Sequence, residues 1–139
     1  MGVTGGLVFA NLGASYGTAK SGVGIASLGV IDSSKVVRAL IPIIMAGILG
    51  IYGLIVAVLL NVQIAKGVTA QSGYKYLGAG LCCGLSSLAS GLAIGVAGDA
   101  GVRAYAQTDG IFVGMIILLI FAEAIGLYGM IISIILMYS

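Results

Sequence analysis

The 139 residues are 60% hydrophobic and only 7% charged, with a mean hydropathy of +1.24, whereas about a quarter of a soluble domain is charged. Water is therefore excluded as the main solvent, and at roughly 20 apolar residues per helical crossing the chain has room for about four crossings and no separate catalytic domain. A net charge of +2, from six Lys and Arg against four Asp and Glu, is too small and scattered to suggest nucleic-acid binding.

The N-terminus lacks the basic start and cleavage site of a signal peptide, and Gly6 stands where a myristoylation motif needs Ser or Thr. The first apolar segment is expected to be retained, as a helix over about 5–31 whose one charge is Lys20. Asp32, Ser33, Ser34, Lys35 and Arg38 interrupt it. A second helix is predicted over about 39–63, with Pro42 in its first turn, where a missing N–H does no harm. A polar connector runs from Lys66 to Lys75. The third and fourth helices are expected over about 76–102 and 111–138. Long unbroken apolar runs rule out the alternating polarity of barrel strands. Adjacent Cys82 and Cys83 are poorly placed to staple distant segments and read as small hydrophobes.

The chain repeats itself. Ala46 to Gly53 (AGILGIYG) aligns with Ala122 to Gly129 (AEAIGLYG), sharing Gly-x-Tyr-Gly, and Gly13 and Gly17 align with Gly91 and Gly95. Two duplicated hairpins are expected, residues 1–65 and 74–139. Residues 1–30 and 73–101 hold eight glycines each, against three each in the second and fourth segments, so the two kinds of helix should pack differently. Gly-x-x-x-Gly spacings at Gly13/Gly17, Gly80/Gly84 and Gly91/Gly95 let backbones approach closely. Helices one and three are expected to form a crowded inner layer, with the Ile- and Leu-rich helices two and four outside facing lipid. Copies closing into a ring would give each inner helix two neighbours. A glycine-packed bundle acting alone fits the periodicity equally well.

Glu123 lies 12 residues after Ile111, about 18 Å along a helix and near the midplane of a core ~30 Å thick. A charge there costs ~2.5–3.5 kcal/mol on insertion scales, so the carboxyl should be neutral unless a cation or basic partner is present. Intramembrane acids of this kind mark ion pathways; the plainer reading is a neutral acid hydrogen-bonded to Tyr52 or Tyr128. Lys20 reads as structural, Asp99 and Arg103 as an interfacial i,i+4 pair, and Ser86, Ser87 and Ser90 as small residues of the dense layer. A sodium ion would need several oxygen ligands. Ile48 and Leu49, which follow Gly47, the position aligned with Glu123, offer none, so H⁺ is preferred. Lys35, Arg38 and Arg103 on one side weakly place both short loops in the cytosol, with both termini facing away.

Three stretches now carry a resemblance: Leu12–Ile25 (LGASYGTAKSGVGI), Val96–Arg103 (VAGDAGVR) and Phe112–Gly129 (FVGMIILLIFAEAIGLYG). Over almost its whole length the chain resembles the c-type proteolipids of eukaryotic vacuolar-type H⁺-ATPases. The resemblance implies a ring of c-type proteolipid copies turning against a stator a-type subunit with a basic residue, coupled through a central stalk to a cytosolic ATPase sector, in a vacuolar or endosomal membrane. It implies that Glu123 binds the proton and that Gly47 marks the hairpin that lost its acid. The family's larger proteolipid, with its acid in an earlier helix, is disfavoured. One departure is that only a few residues precede Leu7. No cofactor or metal is expected, and no nucleic acid. A self-contained proteolipid pore and a structural tetraspan are the rival readings, and the near absence of polar residues along the inner helices argues against the pore.

Overall fold

In the computed structural model, which describes all 139 residues, Met1 leads directly into α1, Gly2–Ile31. Two single 3-10 turns, Ser33–Lys35 and Arg38–Leu40, carry the chain into α2, Ile41–Ala65. Then come α3, Ala70–Gln107, and α4, Ile111–Tyr138. Pro42 falls in the first turn of α2, as its missing N–H requires. The turn between α2 and α3 hinges on Gly67, whose φ of +111° lies in the left-handed region that a side chain disfavours.

The third helix is longer than the apolar run predicts, 70–107 against 76–102. At its start Thr69 and Ser72 form a capping box, the Thr69 hydroxyl accepting from the Ser72 amide. This holds helix through residues expected to be connector. At its end Tyr105 is buried and stacks against Phe112 of α4 at 5.1 Å between ring centroids. Helix needs backbone hydrogen bonds and hydropathy reports only the part in lipid, so a helix of 38 residues, about 57 Å long, projects beyond both faces of a ~30 Å core.

Residues 38–65, 70–107 and 111–138 are long and apolar enough to cross a bilayer. In α1 glycine, serine and Lys20 dilute the apolarity, but the helix lies parallel to α3 over its whole length and shares its depth. Gly2 meets Tyr76 and Gly80, Gly13 meets Ser87 and Gly91, and Gly24 meets Asp99. These are backbone-to-backbone contacts. A Cβ on Gly91 would collide with the carbonyl oxygen of Gly13, and one on Gly80 with that of Gly2. Gly84 sits against Gly5 and Phe9, and Gly95 against the Tyr16 ring and Lys20. Gly17 is different, since its Cβ would meet Ala46 of α2 at 2.9 Å as well as Gly91 of α3 at 3.1 Å. Small residues thus allow α1 and α3 to touch along a common seam, with α2 and α4 laid against it antiparallel to their partners. A cluster of Leu28, Leu49, Ile94, Val102, Met115 and Leu119, among others, fills the space between the hairpins.

Candidate functional site

Glu123 projects from the middle of α4, and only 9% of the residue's surface is accessible. Gly126, one turn further on, opens room beside it: the Leu49 side chain of α2 would lie 2.6 Å from a Cβ at that position. The α4 backbone is fixed here by Ser90, whose hydroxyl donates across the helix interface to the carbonyl of Ala122 at 2.6 Å. Further along α4 Ser133 donates to Ala79 at 2.5 Å. Ser90 therefore bonds between helices and is more than a small filler of the layer. Ser133 was not singled out by sequence reasoning, because a serine among isoleucines gives no signal until the facing carbonyl is known. Ser86 does act by size, packed under Gly129, and Ser87 is buried without a hydrogen-bond partner.

Both carboxyl oxygens of Glu123 are buried with no hydrogen-bond partner. Tyr52 of α2 is near enough to interact with the carboxyl, yet it makes no hydrogen bond of ordinary geometry to it. Tyr128, the other expected partner, stands 63% exposed on the outer flank of α4. Gly47 is not beside Glu123 either: it lines a groove between α1 and α2 together with Asn11, Ser15, Thr18 and Gly50. Neither ion pair in the chain involves Glu123. Lys20 is exposed and free of an ion pair, its stem lying along Gly95. An unpaired, unsolvated carboxylate at this depth would be strongly disfavoured. No cation and no hydrogen-bond donor of the chain is placed to compensate an ionised carboxyl here.

Charge is concentrated instead at the end where the two short loops meet. Lys35 reaches from the first loop to Asp109 in the second at 2.5 Å. It also donates to the Tyr105 carbonyl at 3.1 Å and lies 5.0 Å from the centre of that ring. The Asp109 carboxylate, above all, raises the Lys35 ammonium above its ordinary 10.5. The Ser34 hydroxyl and amide, at 2.6 and 3.1 Å, hold the Asp32 carboxyl below its ordinary 3.8. Nearby, Arg103 and Asp99 pair at 2.8 Å, four residues apart. Cys82 and Cys83 are free, and the Cys83 thiol is directed at the Tyr52 carbonyl, 3.7 Å away.

A buried acid in the last of four helices, on duplicated hairpins whose glycine-rich members form one seam, defines a ring-forming hairpin proteolipid. The chain belongs to the family of ATP synthase C subunits, whose model matches twice, over residues 1–60 and 77–136; each hairpin is a copy of the family unit. It is 53% identical to the 16 kDa proteolipid, or c-type, subunit of the V-type proton ATPase of Rattus norvegicus over 136 residues, covering 98% of this chain and 88% of that one. To the human protein of the same name identity is 52% with the same coverage. To that of Ascaris suum it is 52% over 139 residues, 98% of this chain and 86% of the relative.

Proposed function

We propose that this chain is a rotor subunit of a V-type proton pump and that Glu123 is its proton carrier. The reading rests on one observation above the others: a single buried acid whose two oxygens have no partner in the chain. Such a group is suited to cross lipid neutral and to ionise only where another subunit supplies water or a cation. In a ring of copies, Glu123 takes a proton from one access path and is carried round as the neutral acid. It then loses the proton opposite a basic residue of a stator subunit. The chain hydrolyses nothing; torque reaches it through a central stalk from an ATPase sector.

The choice of H⁺ over Na⁺ is supported by what surrounds the carboxyl. Leu49 and Gly126 contribute no oxygen, and the hydroxyls of Tyr52 and Ser90 are too few to build a coordination shell around the carboxyl. A hard cation would lack the ligands it needs. The cluster of Lys35, Arg38 and Arg103 favours a cytosolic position for the two short loops, with the termini in the lumen of a vacuolar or endosomal compartment. Proton uptake by vesicles carrying the Glu123→Gln protein is the test.

A further inference from the structure

Three side-chain hydrogen bonds join one membrane helix to another, and α3 takes part in all of them. The Ser90 hydroxyl donates to the Ala122 carbonyl of α4, the Ser133 hydroxyl of α4 donates to the Ala79 carbonyl, and the Cys83 thiol donates to the Tyr52 carbonyl of α2 at 3.7 Å. In contrast α1, which touches α3 along the glycine seam, makes none; its Asn11, Ser15 and Ser27 side chains bond within their own helix. The repeat sharpens the difference. A shift of 78 residues places Gly5 on Cys83 and Leu12 on Ser90, and a shift of 76 places Ala57 on Ser133. None of these mates has a side-chain donor. All three donors therefore lie in the hairpin that carries the acid, and the duplicate with glycine at position 47 lacks every one.

Cys83 and Ser90 are seven residues apart, so they lie within about 20° of one face of α3 and about 10.5 Å apart along it. Both are fully buried. Cys83 takes the carbonyl of Tyr52 itself, and Ser90 takes the carbonyl of the residue before Glu123. Between them α2 and α4 meet at Leu49 and Gly126. We infer that Cys83 and Ser90 are positioning residues: α3 is a gauge that fixes the gap between the Tyr52 ring and the Glu123 carboxyl by holding one backbone carbonyl on each helix that carries them. This gauge, which serves Glu123 as the proton carrier proposed above, keeps the surroundings of the acid the same from copy to copy. The gap matters because a tyrosine hydroxyl that closed on the carboxyl would favour one protonation state. Held short of a hydrogen bond, Tyr52 leaves the proton free to exchange. Ser90 is the stronger pin, since a thiol is a weak donor.

Glu123 is the only glutamate in the chain, so glutamate carrying carbon-13 at the side-chain carboxyl marks this group alone in rings purified and returned to lipid. Its protonated C=O stretch, read by isotope-edited infrared difference spectroscopy, reports hydrogen bonding at the carboxyl directly. Ser90→Ala should move the band, Cys83→Ala should move it less, and both shifts should vanish once Tyr52→Phe is added. Ser133→Ala is the control. It removes a bond of 2.5 Å between the same two helices, ten residues from Glu123 or about 15 Å along α4, and should leave the band in place. A band unmoved by Ser90→Ala and Cys83→Ala, or moved as far by Ser133→Ala, would overturn the inference. Shifts that persist with Tyr52→Phe would overturn it too. The two pins are separate substitutions, so if one variant does not assemble the other decides. No transport is measured: a gauge that fails here leaves the Glu123→Gln uptake result untouched, and a carrier role that fails there leaves these bands standing.

Discussion

The Ser90 hydroxyl holds the carbonyl of Ala122 at 2.6 Å, tying α3 to the α4 backbone at the residue immediately before Glu123. The bond positions the acid without touching it. Ser90→Ala should remove roughly 0.6–1 kcal/mol, the range for one hydrogen bond between membrane helices. The protein should still assemble, with a small drop in the thermal midpoint of the detergent-solubilised ring and a loss of transport of several-fold at most. An unchanged midpoint would mean that size alone matters at position 90.

Gly91 stands at one of the tightest points of the seam: a Cβ would run into the Gly13 carbonyl oxygen, which is backbone and cannot swing aside. Overpacking ordinarily costs about 1–3 kcal/mol, and here two helix axes must separate. Gly91→Leu should leave little folded protein in the membrane, and Gly91→Ala should fall between it and wild type. Gly78→Ala should accumulate normally, since a Cβ there meets nothing within 4 Å. Quantitative immunoblotting of membranes with native gels measures all three, and normal levels of Gly91→Leu would show that the seam is misplaced.

The bridge from Lys35 to Asp109 and Tyr105 clasps the two short loops, and its pH dependence has a definite sign. Because the Lys35 ammonium is raised in the fold, its contribution is complete below the unfolded value, about 10.4, and is lost as pH rises through the folded one. Asp32 is lowered, so its contribution is present above about 3.9 and lost as pH falls. The clasp, to which Asp32 does not belong, should therefore be constant from neutral pH to about pH 9. A spin label at Thr108→Cys should show flat mobility across that window and rising mobility above about 10.5. Lys35→Met should be mobile throughout, and a Lys35→Met spectrum identical to wild type would dismiss the clasp.

Much of this was legible in the residues, for reasons that can be named. Helix in lipid must be apolar, so the limits of α4, 111–138, follow from the run of isoleucine and leucine. The 46–53 and 122–129 match shows the duplication directly, and Glu123 is conspicuous in a segment with no other charge. What escaped was whatever depends on facing partners. The extra turns of α3 lie in polar sequence, held by the Thr69–Ser72 cap and the Tyr105–Phe112 stack, which hydropathy does not register. Tyr52 and Tyr128 stand on equal terms in the sequence, since both follow the same Gly-x-Tyr-Gly pattern; only packing distinguishes the tyrosine beside the acid from the one on the open flank. Gly47 was legible as the repeat mate of Glu123 but not as the floor of a groove.

The central claim is that the Glu123 carboxyl is what carries the proton. Glu123→Gln keeps the shape of the neutral acid and removes the ionisable proton, so rings should form at wild-type abundance. Glu123→Asp keeps the acid one methylene further back and should transport at a reduced rate. The direct measurement is ATP-driven proton uptake by membrane vesicles at matched ring content. The account predicts uptake from Glu123→Gln vesicles at the background level seen with the pump inhibited, and comparable uptake by Glu123→Gln and wild-type vesicles would contradict it.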